Sequence, residues 1–223
     1  MSTTNDTIFW ITVKHTKKLA TLNPTNKNRV GKEELVEMNG NEYRVWNPYR
    51  SKLAAAIING IEVFPILKNT KILYFDSNVG ITPSHISDIV GKDGKIFVVG
   101  NNNKSFNFLD KIASIRSNIT VIHDAENLVP YNSIKDKVDV IYADLPYGNN
   151  FDLDILNSKT HLKDMGYIML VVKTKDILVN EDGTEPKNNI RNKIRDVFEI
   201  IQEIPLSNFF KEDSMIIAKY LDS

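Results

Sequence analysis

From residue 71 onwards, apolar segments alternate with segments of helical character, and this alternation restricts the possible folds more than any other feature. The apolar segments are short, rich in β-branched residues and hardly interrupted by polar ones, as expected of strands buried on both faces. There are seven: KILYF, KIFVV, NITVI, VDVIYAD, YIMLVVK, EIIQEIPL and SMIIAKY. The pattern predicts an α/β fold with a seven-stranded, mostly parallel, doubly wound sheet. We expect the last two strands, which are close in sequence, to pair antiparallel at one edge.

Residues 1–46 have no helical periodicity and contain four short β-rich segments separated by polar turns. The dipeptide Asn39-Gly40 lies between the third and fourth segments, and Asn-Gly in such a place is a strong hairpin signal. We therefore predict a small N-terminal antiparallel β-domain over residues 1–46, followed by the α/β domain over residues 47–223.

One helix is predicted at the beginning of the α/β domain, in the segment NPYRSKLAAAIINGI. Asn47 is a good N-cap, Pro48 suits the first helical position, and Gly60 is placed to end the helix.

Composition excludes several classes of site. The chain has 223 residues and no cysteine, so disulfides, thiol catalysis and cysteine-based zinc clusters are excluded. The first residues do not read as a signal peptide, and no stretch reads as a membrane span, so we expect a cytoplasmic protein, or a nucleolar one in a eukaryote. The 28 cationic and 28 anionic residues give no net charge, so RNA binding would need a local patch or a partner.

Chemically interesting residues are expected where the parallel strands end, because open sheets of this type bind ligands outside the carboxyl ends of their strands. Five predicted strands end at such a residue or are followed by one: Asp76, Gly100, Asp124, Asp144 and Lys173.

Several stretches resemble one family. These are WNPYRSKLAAAI, LYFDSNVGITPSHISDIVGKDGKIFVV, HDAEN, VDVIYAD and LVVK. They are similar to fibrillarin, the RNA ribose 2′-O-methyltransferase of box C/D ribonucleoproteins, in particular its archaeal forms, from about Asn39 to Tyr220. The resemblance implies a Rossmann-like methyltransferase fold with S-adenosylmethionine (SAM) as cofactor. It also implies a scaffold protein as partner and the ribose of a guide-paired RNA as substrate.

The resemblance implies three catalytic residues: Lys52, Asp144 and Lys173. A 2′-hydroxyl is a poor nucleophile until its proton is removed, and the family pattern makes Lys173 the base or orienting group, Asp144 the residue that fixes it, and Lys52 a second cation. Other interpretations stay open: Asp144 as a helix cap, Lys52 as a solvated helix residue, or both lysines as phosphate ligands. Ser214 stands where the family has a histidine, and it can donate a hydrogen bond but not replace the imidazole.

The residues at the positions that bind SAM in the family differ more from the family pattern than the catalytic residues do. Gly80, Thr82, Asp124 and Ala125 remain at positions that the resemblance assigns to SAM, but Asp76 replaces the first glycine of the SAM turn. An aspartate there costs about 1–2 kcal/mol in a left-handed turn and roughly 3 kcal/mol in repulsion of the SAM carboxylate.

The second change at the cofactor end concerns the ribose of SAM. Gly100 replaces the acidic residue that holds the ribose hydroxyls, a bond worth about 1.5–3 kcal/mol. Taken together with the change at Asp76, the loss is conservatively about 4–5 kcal/mol, on the order of a thousandfold in affinity.

Three functions therefore stay open. The sequence favours a non-catalytic fibrillarin paralogue that binds RNA or a ribonucleoprotein, through a box C/D-type scaffold protein or beside an intact fibrillarin, and that has no membrane role. The alternative is an active SAM-dependent RNA 2′-O-methyltransferase. A weaker alternative is a base-amine methyltransferase, because DLPYG at residues 144–148 resembles the Asp-Pro-Pro-Tyr motif of such enzymes. The adjacent Phe209 and Phe210 are interpreted as core residues rather than a docking surface.

Overall fold

A computed structural model of the chain describes residues 6–24, 29–76, 81–100, 103–123, 134–144, 159–177 and 190–221. Within these ranges the chain forms a four-stranded antiparallel sheet and a seven-stranded mixed sheet with helices on its faces. No helix in this part of the chain is long and apolar enough to cross a membrane.

The small sheet is built from the four predicted N-terminal segments. Its strands are β1 (Ile8–Val13), β2 (Thr16–Leu22), β3 (Leu35–Met38) and β4 (Asn41–Val45), in the order β1-β2-β4-β3. The predicted hairpin is confirmed: Met38 pairs with Asn41, and Asn39 and Gly40 have φ angles of 52° and 77°. Two successive residues in the left-handed region are what a type I′ turn requires.

The predicted helix at the beginning of the α/β domain is divided in two. Asn47 caps only a 3₁₀ turn, Pro48–Arg50, by accepting a hydrogen bond from the Tyr49 N–H. Ser51 then adopts an extended backbone and caps the helix α1 (Lys52–Ile58), its hydroxyl accepting from the Ala54 N–H. The prediction of one continuous helix was therefore wrong, because Ser51, itself a preferred capping residue, restarts the helix.

The large sheet has the predicted seven strands. They are β5 (Lys71–Asp76), β6 (Lys95–Gly100), β7 (Ile119–Ile122), β8 (Val138–Asp144), β9 (Leu162–Lys173), β10 (Phe198–Pro205) and β11 (Asp213–Tyr220). Their order is β10-β11-β9-β8-β5-β6-β7, parallel from β9 to β7. β11 runs antiparallel between β9 and β10, so the predicted antiparallel pair at the edge is confirmed.

Two hydrophobic clusters pack on the two faces of the large sheet. In β5, Ile72 and Tyr74 belong to the cluster that packs against α1, α2 (Ile81–Val90) and α3 (Asn103–Ile115). Leu73 and Phe75 belong to the cluster on the other face, with residues of α4 (Ile190–Arg195). Because side chains alternate along a strand, this division explains why the strand sequences are apolar throughout.

The small sheet shares the core of the large one. Leu19 and Trp46 are buried in the same cluster as Leu53 of α1 and Ile86 of α2. In the sequence, the last strand of the small sheet ends at Val45 and the first strand of the large sheet begins at Lys71. That residues 1–46 form a separate domain stays a prediction.

A buried ionic network joins the small sheet to α2. Asp88 of α2 accepts from Arg44 of β4 at 2.5 Å and from the Thr21 hydroxyl of β2 at 2.8 Å. Its other oxygen lies 3.0 Å from Arg116, which follows α3. Burial raises the pKa of Asp88, and the two guanidinium groups act in the opposite direction.

His85 of α2 belongs to the same network and is neutral. Its Nδ1 lies 2.7 Å from the Thr21 oxygen, and since that hydroxyl donates its single proton to Asp88, the imidazole Nδ1–H must donate to Thr21. Burial, reinforced by Arg44 and Arg116, holds the pKa of His85 well below its ordinary value. The ring stacks on Trp46 with centroids 4.7 Å apart, which fixes α2 against β4.

We predict that Asp88→Asn lowers the free energy of unfolding by about 3–5 kcal/mol, because it removes the buried carboxylate that pairs with both Arg44 and Arg116. Urea unfolding followed by tryptophan fluorescence measures this. The control is Glu34→Gln, which breaks the half-exposed pair with Lys18 and should cost less than about 1 kcal/mol. Equal losses in the two variants would show that the network does not hold the sheets together.

Candidate active site

Lys52 is placed by the beginning of α1 and held near the beginning of α2. The hydroxyl of Ser51, which caps α1, lies 2.9 Å from the hydroxyl of Thr82 in the first turn of α2. Lys52 follows directly, and its side chain is 18% exposed at the carboxyl edge of the large sheet. The cap therefore fixes the direction in which the lysine leaves the helix.

Two carboxylates hold the Lys52 ammonium group. Its Nζ lies 2.7 Å from Oδ1 of Asp144, the last residue of β8, and 3.2 Å from Oδ2 of Asp213, the first residue of β11. Oδ1 of Asp213 lies 2.7 Å from Nζ of Lys173, the last residue of β9. We call these four residues, Lys52, Asp144, Lys173 and Asp213, the charged cluster.

The strand register explains why the cluster forms. Asp213 is the direct partner of Lys173 in the antiparallel pair of β9 and β11, so their side chains share one face. β8 lies next to β9 and ends at the same edge, which brings Asp144 beside them. Four residues that are up to 161 positions apart in sequence therefore meet at one point.

This arrangement corrects one expectation from the sequence. Asp144 was expected to fix Lys173, but Asp144 forms its ion pair with Lys52, and the carboxylate paired with Lys173 is Asp213. Asp213 was not among the predicted site residues. The sequence could have indicated Asp213, because this residue directly precedes Ser214, the position at which the family has a histidine.

Ser214 does not join the charged cluster. Its side chain is buried, and its hydroxyl lies 3.0 Å from the hydroxyl of Thr174, which follows β9. The polar group that contributes to the site from the beginning of β11 is thus the carboxylate of residue 213 rather than the side chain of residue 214.

The surroundings of Lys52 and Asp144 shift the pKa values of both groups. Burial acts to lower the pKa of Lys52, but attraction to Asp144 and Asp213 outweighs it, so the pKa rises above its ordinary value of 10.5 and the group stays an ammonium ion. Burial raises the pKa of Asp144, with Asp213 adding to the effect and the two lysines acting against it. Asp144 is therefore a more basic carboxylate than an exposed aspartate.

Aromatic side chains border the cluster. The Nζ of Lys52 lies 5.7 Å from the ring centroid of Phe210, and Tyr49 packs edge-on against Phe209 with centroids 5.1 Å apart. Both phenylalanines are partly buried against the main core, which agrees with their interpretation as core residues.

The expected cofactor edge lies next to the cluster. In the strand register, Asp76 is the direct partner of both Gly100 and Asp144, so the ends of β5, β6 and β8 lie side by side. The strand order also reverses at β5, and such switch points bind nucleotide-type ligands in open sheets. The topology therefore fits SAM, but residue 100 offers no carboxylate to a ribose there.

Of the other residues that we predict to bind SAM, the structure describes Thr82. Its side chain is buried, and its hydroxyl lies 2.9 Å from the hydroxyl of Ser51. Gly80, Asp124 and Ala125 lie outside the described residues, as does the part of the DLPYG motif that follows Asp144.

Comparison with known proteins identifies the family of the chain. The family model of fibrillarin matches residues 2–222. The fibrillarin-like rRNA/tRNA 2′-O-methyltransferase of Sulfolobus acidocaldarius is 37% identical over 207 residues, which cover 92% of this chain and 90% of that relative. The structure of Aeropyrum pernix fibrillarin with natively bound S-adenosyl-L-methionine is 31% identical, with a TM-score of 0.84 over 95% of this chain and 93% of that one.

A third similar structure is that of a fibrillarin/Nop5p complex. Its matched chain is 26% identical, with a TM-score of 0.75 over 96% of this chain and 98% of that one. The large sheet with its helices thus has the fold of SAM-dependent methyltransferases. From the match of the family model and the identity to its members, the chain belongs to the fibrillarin family.

Proposed function

We propose that this protein transfers a methyl group from SAM to a ribose 2′-hydroxyl of RNA. The observation that supports this most strongly is the charged cluster, in which two lysines and two buried carboxylates from four separate elements meet beside the expected cofactor edge. The relatives named as rRNA/tRNA 2′-O-methyltransferases support RNA as the substrate class.

In this proposal the two lysines have different tasks. Lys52 keeps its proton, because its pKa is raised, so it orients the hydroxyl and balances charge rather than acting as a base. Lys173 is the more exposed lysine, with 40% of its side chain accessible, and so it is the one that an incoming hydroxyl reaches first. Lys173 first passes a proton to Asp213 and then, as a neutral amine, accepts the proton of the hydroxyl group. Lys173 and Asp213 together thus gain one proton, and the ribose oxygen becomes nucleophilic.

The cofactor contributes one element of chemistry. When bound, SAM supplies a methyl group on a positively charged sulfur, which becomes a neutral thioether as the methyl group leaves. The segment between Asp76 and Thr82 would hold the methionine part of SAM, and the end of β6 at Gly100 would lie at its ribose. Gly80, Asp124 and Ala125 are proposed for the rest of the molecule on the strength of the family resemblance.

We propose that a scaffold protein of the Nop5 type brings the RNA to this site. The fibrillarin/Nop5p structure supports such a partner, and the chain's net charge of zero is consistent with shared RNA affinity.

We predict that Lys173→Ala lowers methyl transfer to a guide-paired RNA by about 10²–10⁴-fold, as expected when a proton-transfer group is removed. The assay uses radiolabelled SAM and the protein reconstituted with its scaffold. Lys175→Ala is the matched control, because Lys175 is an exposed lysine two residues further along, and it should retain activity. Activity in Lys173→Ala equal to that in Lys175→Ala would refute the assignment of Lys173.

A second candidate function is a non-catalytic paralogue retained for binding a ribonucleoprotein. Two sequence features favour it: Asp76 where the family has a glycine, and Gly100 where the family has an acid. Both residues lie in direct register at the cofactor edge, so their effects on SAM would combine. The charged cluster does not distinguish this candidate, since lysines can hold phosphate without methyl transfer.

Titration calorimetry with SAM separates the two candidates. We predict that Gly100→Asp tightens SAM binding by about tenfold to a hundredfold, because a carboxylate then accepts hydrogen bonds from the ribose hydroxyls. Asp76→Gly should tighten it too, by removing a like charge, whereas Asp93→Gly, in an exposed turn, should not.

Measurable SAM binding by the unaltered protein favours the enzyme. Binding that appears only in the Asp76→Gly/Gly100→Asp variant favours the non-catalytic paralogue. Unchanged affinity in Gly100→Asp would contradict the placement of residue 100 at the ribose.

A further inference from the structure

A cleft of about 610 Å³ lies between the small sheet and the helices α1 and α2. Residues of β2 and β4 line one side, and the 3₁₀ turn before α1 and the first half of α2 line the other. None of the four residues of the charged cluster lines it. Its volume is within the range of about 300–1,000 Å³ that is usual for ligand-binding pockets. The cleft is therefore a candidate binding site that the proposed methyl transfer does not use.

Two buried rings at the inner end of the cleft have hydrogen-bonding atoms without a partner. Trp46 and His85 both line the cleft, although only 0% and 1% of their surface is exposed. The Nε1–H of Trp46 and the Nε2 of His85 form no hydrogen bond with the residues that the structure describes. Buried polar groups in proteins nearly always have a partner, so two such atoms beside a cavity indicate a molecule that binds there.

The two atoms have opposite requirements. Since the Nδ1–H of His85 donates to Thr21, its Nε2 carries a lone pair and accepts a hydrogen bond. The indole Nε1–H of Trp46 only donates. The two rings are stacked with centroids 4.7 Å apart, so this donor and this acceptor belong to adjacent groups. A peptide group offers both a C=O that accepts and an N–H that donates, and it therefore complements the pair.

The cleft is also positively charged, although the chain as a whole is neutral. Five cations and two anions line it, and each anion is paired with one of the cations. The other three cations are exposed and form no ion pair with the residues that the structure describes: Lys17, Lys32 and Arg50. Lys17 and Lys32 lie on the side of the small sheet, whereas Arg50 lies in the 3₁₀ turn on the other side. An occupant that matches this charge carries carboxylates on both sides of the cleft.

Apolar side chains form the rest of the binding surface. Leu19 and Val30 are buried in the lining, and Tyr49 is the most exposed of the large hydrophobic side chains in the described residues, at 68%. The Tyr49 ring is nevertheless fixed, because it packs edge-on against Phe209 and lies in a turn capped by Asn47. A side chain that is already ordered loses little entropy when another group packs against it.

We propose that the cleft binds an acidic peptide segment of a partner protein. An apolar side chain of the segment packs against Tyr49 and Val30, and a peptide group next to it hydrogen-bonds to the two stacked rings. Carboxylates before and after the apolar residue contact Lys32 and Arg50. An apolar anchor in a buried pocket, surrounded by a polar rim, is the usual arrangement of a protein–protein contact.

A single-stranded RNA would also be attracted to the cations, but it has no aliphatic group for the lining at Leu19 and Val30. The two occupants are distinguished by direct measurement. Binding of a peptide segment needs neither SAM nor Lys173, so failure of this inference is distinguishable from failure of the proposed methyl transfer.

The test begins with a random peptide library displayed on phage, selected against the full chain. We expect the selected peptides to have carboxylates on both sides of a large apolar residue. Fluorescence anisotropy of a labelled selected peptide then gives its affinity. Tyr49→Ala should weaken binding about tenfold, as expected of an aromatic anchor. The matched control is Leu67→Ala, because Leu67 is 50% exposed but does not line the cleft, and it should leave the affinity unchanged.

The contribution of the cations is measured with the same peptide. Lys32→Gln/Arg50→Gln should weaken binding by about threefold to tenfold at low salt, because two exposed ion pairs are lost. Lys68→Gln/Lys92→Gln removes two exposed lysines that do not line the cleft, and it should have no effect. Thermal unfolding of each variant verifies that it is folded.

The chain has two tryptophans, so the indole N–H of Trp46 is a direct probe of the inner end of the cleft. In ¹⁵N-labelled protein, its resonance should move downfield when the peptide binds, because the indole N–H gains an acceptor. The indole of Trp10, which does not line the cleft, is the control, and Trp10→Phe assigns the two signals.

Selection of no binding peptide would overturn the proposal, as would equal affinities in Tyr49→Ala and Leu67→Ala. An unchanged Trp46 indole resonance with the peptide bound would overturn it too. So would a labelled single-stranded RNA that binds more tightly than every selected peptide and depends on both Lys32 and Tyr49.

Discussion

Asp213 holds two lysines at once, Lys52 with one carboxylate oxygen and Lys173 with the other, and the geometry of the candidate site depends on this shared carboxylate. Two ammonium groups placed so close together repel each other, and a buried carboxylate between them offsets that repulsion. The antiparallel pairing of β11 with β9 puts Asp213 directly opposite Lys173. The antiparallel strand β11 therefore supplies a carboxylate to the candidate site as well as joining β10 to the rest of the sheet.

The other side of the site is fixed through a longer series of contacts. The Asp88 network and the stacked rings of Trp46 and His85 attach α2 to the small sheet. The first turn of α2 is in turn hydrogen-bonded to the cap of α1 through Thr82 and Ser51, and Lys52 follows that cap. The small sheet thus supports the helix that begins at the cofactor edge and, through it, the lysine in the charged cluster.

The sequence predicted the parts of this fold that depend on local patterns. Strands buried on both faces, the Asn39-Gly40 hairpin and the antiparallel pair at the edge all follow from side-chain periodicity and turn chemistry. The division of the first helix at Ser51 was missed, because Asn47 and Ser51 are both good caps and only tertiary contacts, such as that with Thr82, distinguish them. The cytoplasmic location stays a prediction from composition.

Asp213 was missed for a different reason. Its partners are 40 and 161 residues away, and which carboxylate faces which lysine is decided by strand register. Family motifs pointed to Lys52, Asp144 and Lys173, which the structure brings together, but not to the pairing of charges among them.

A double-mutant cycle on methyl transfer tests most directly whether Lys173 and Asp213 work as one unit. Single-turnover rates are compared for Lys173→Ala, Asp213→Ala and the variant carrying both changes, at saturating SAM and RNA. Because residues that act together show strongly non-additive losses, the double variant should be about as slow as the slower single variant. Losses that multiply in the double variant would show that the two residues act independently, and would contradict a site organised around Asp213.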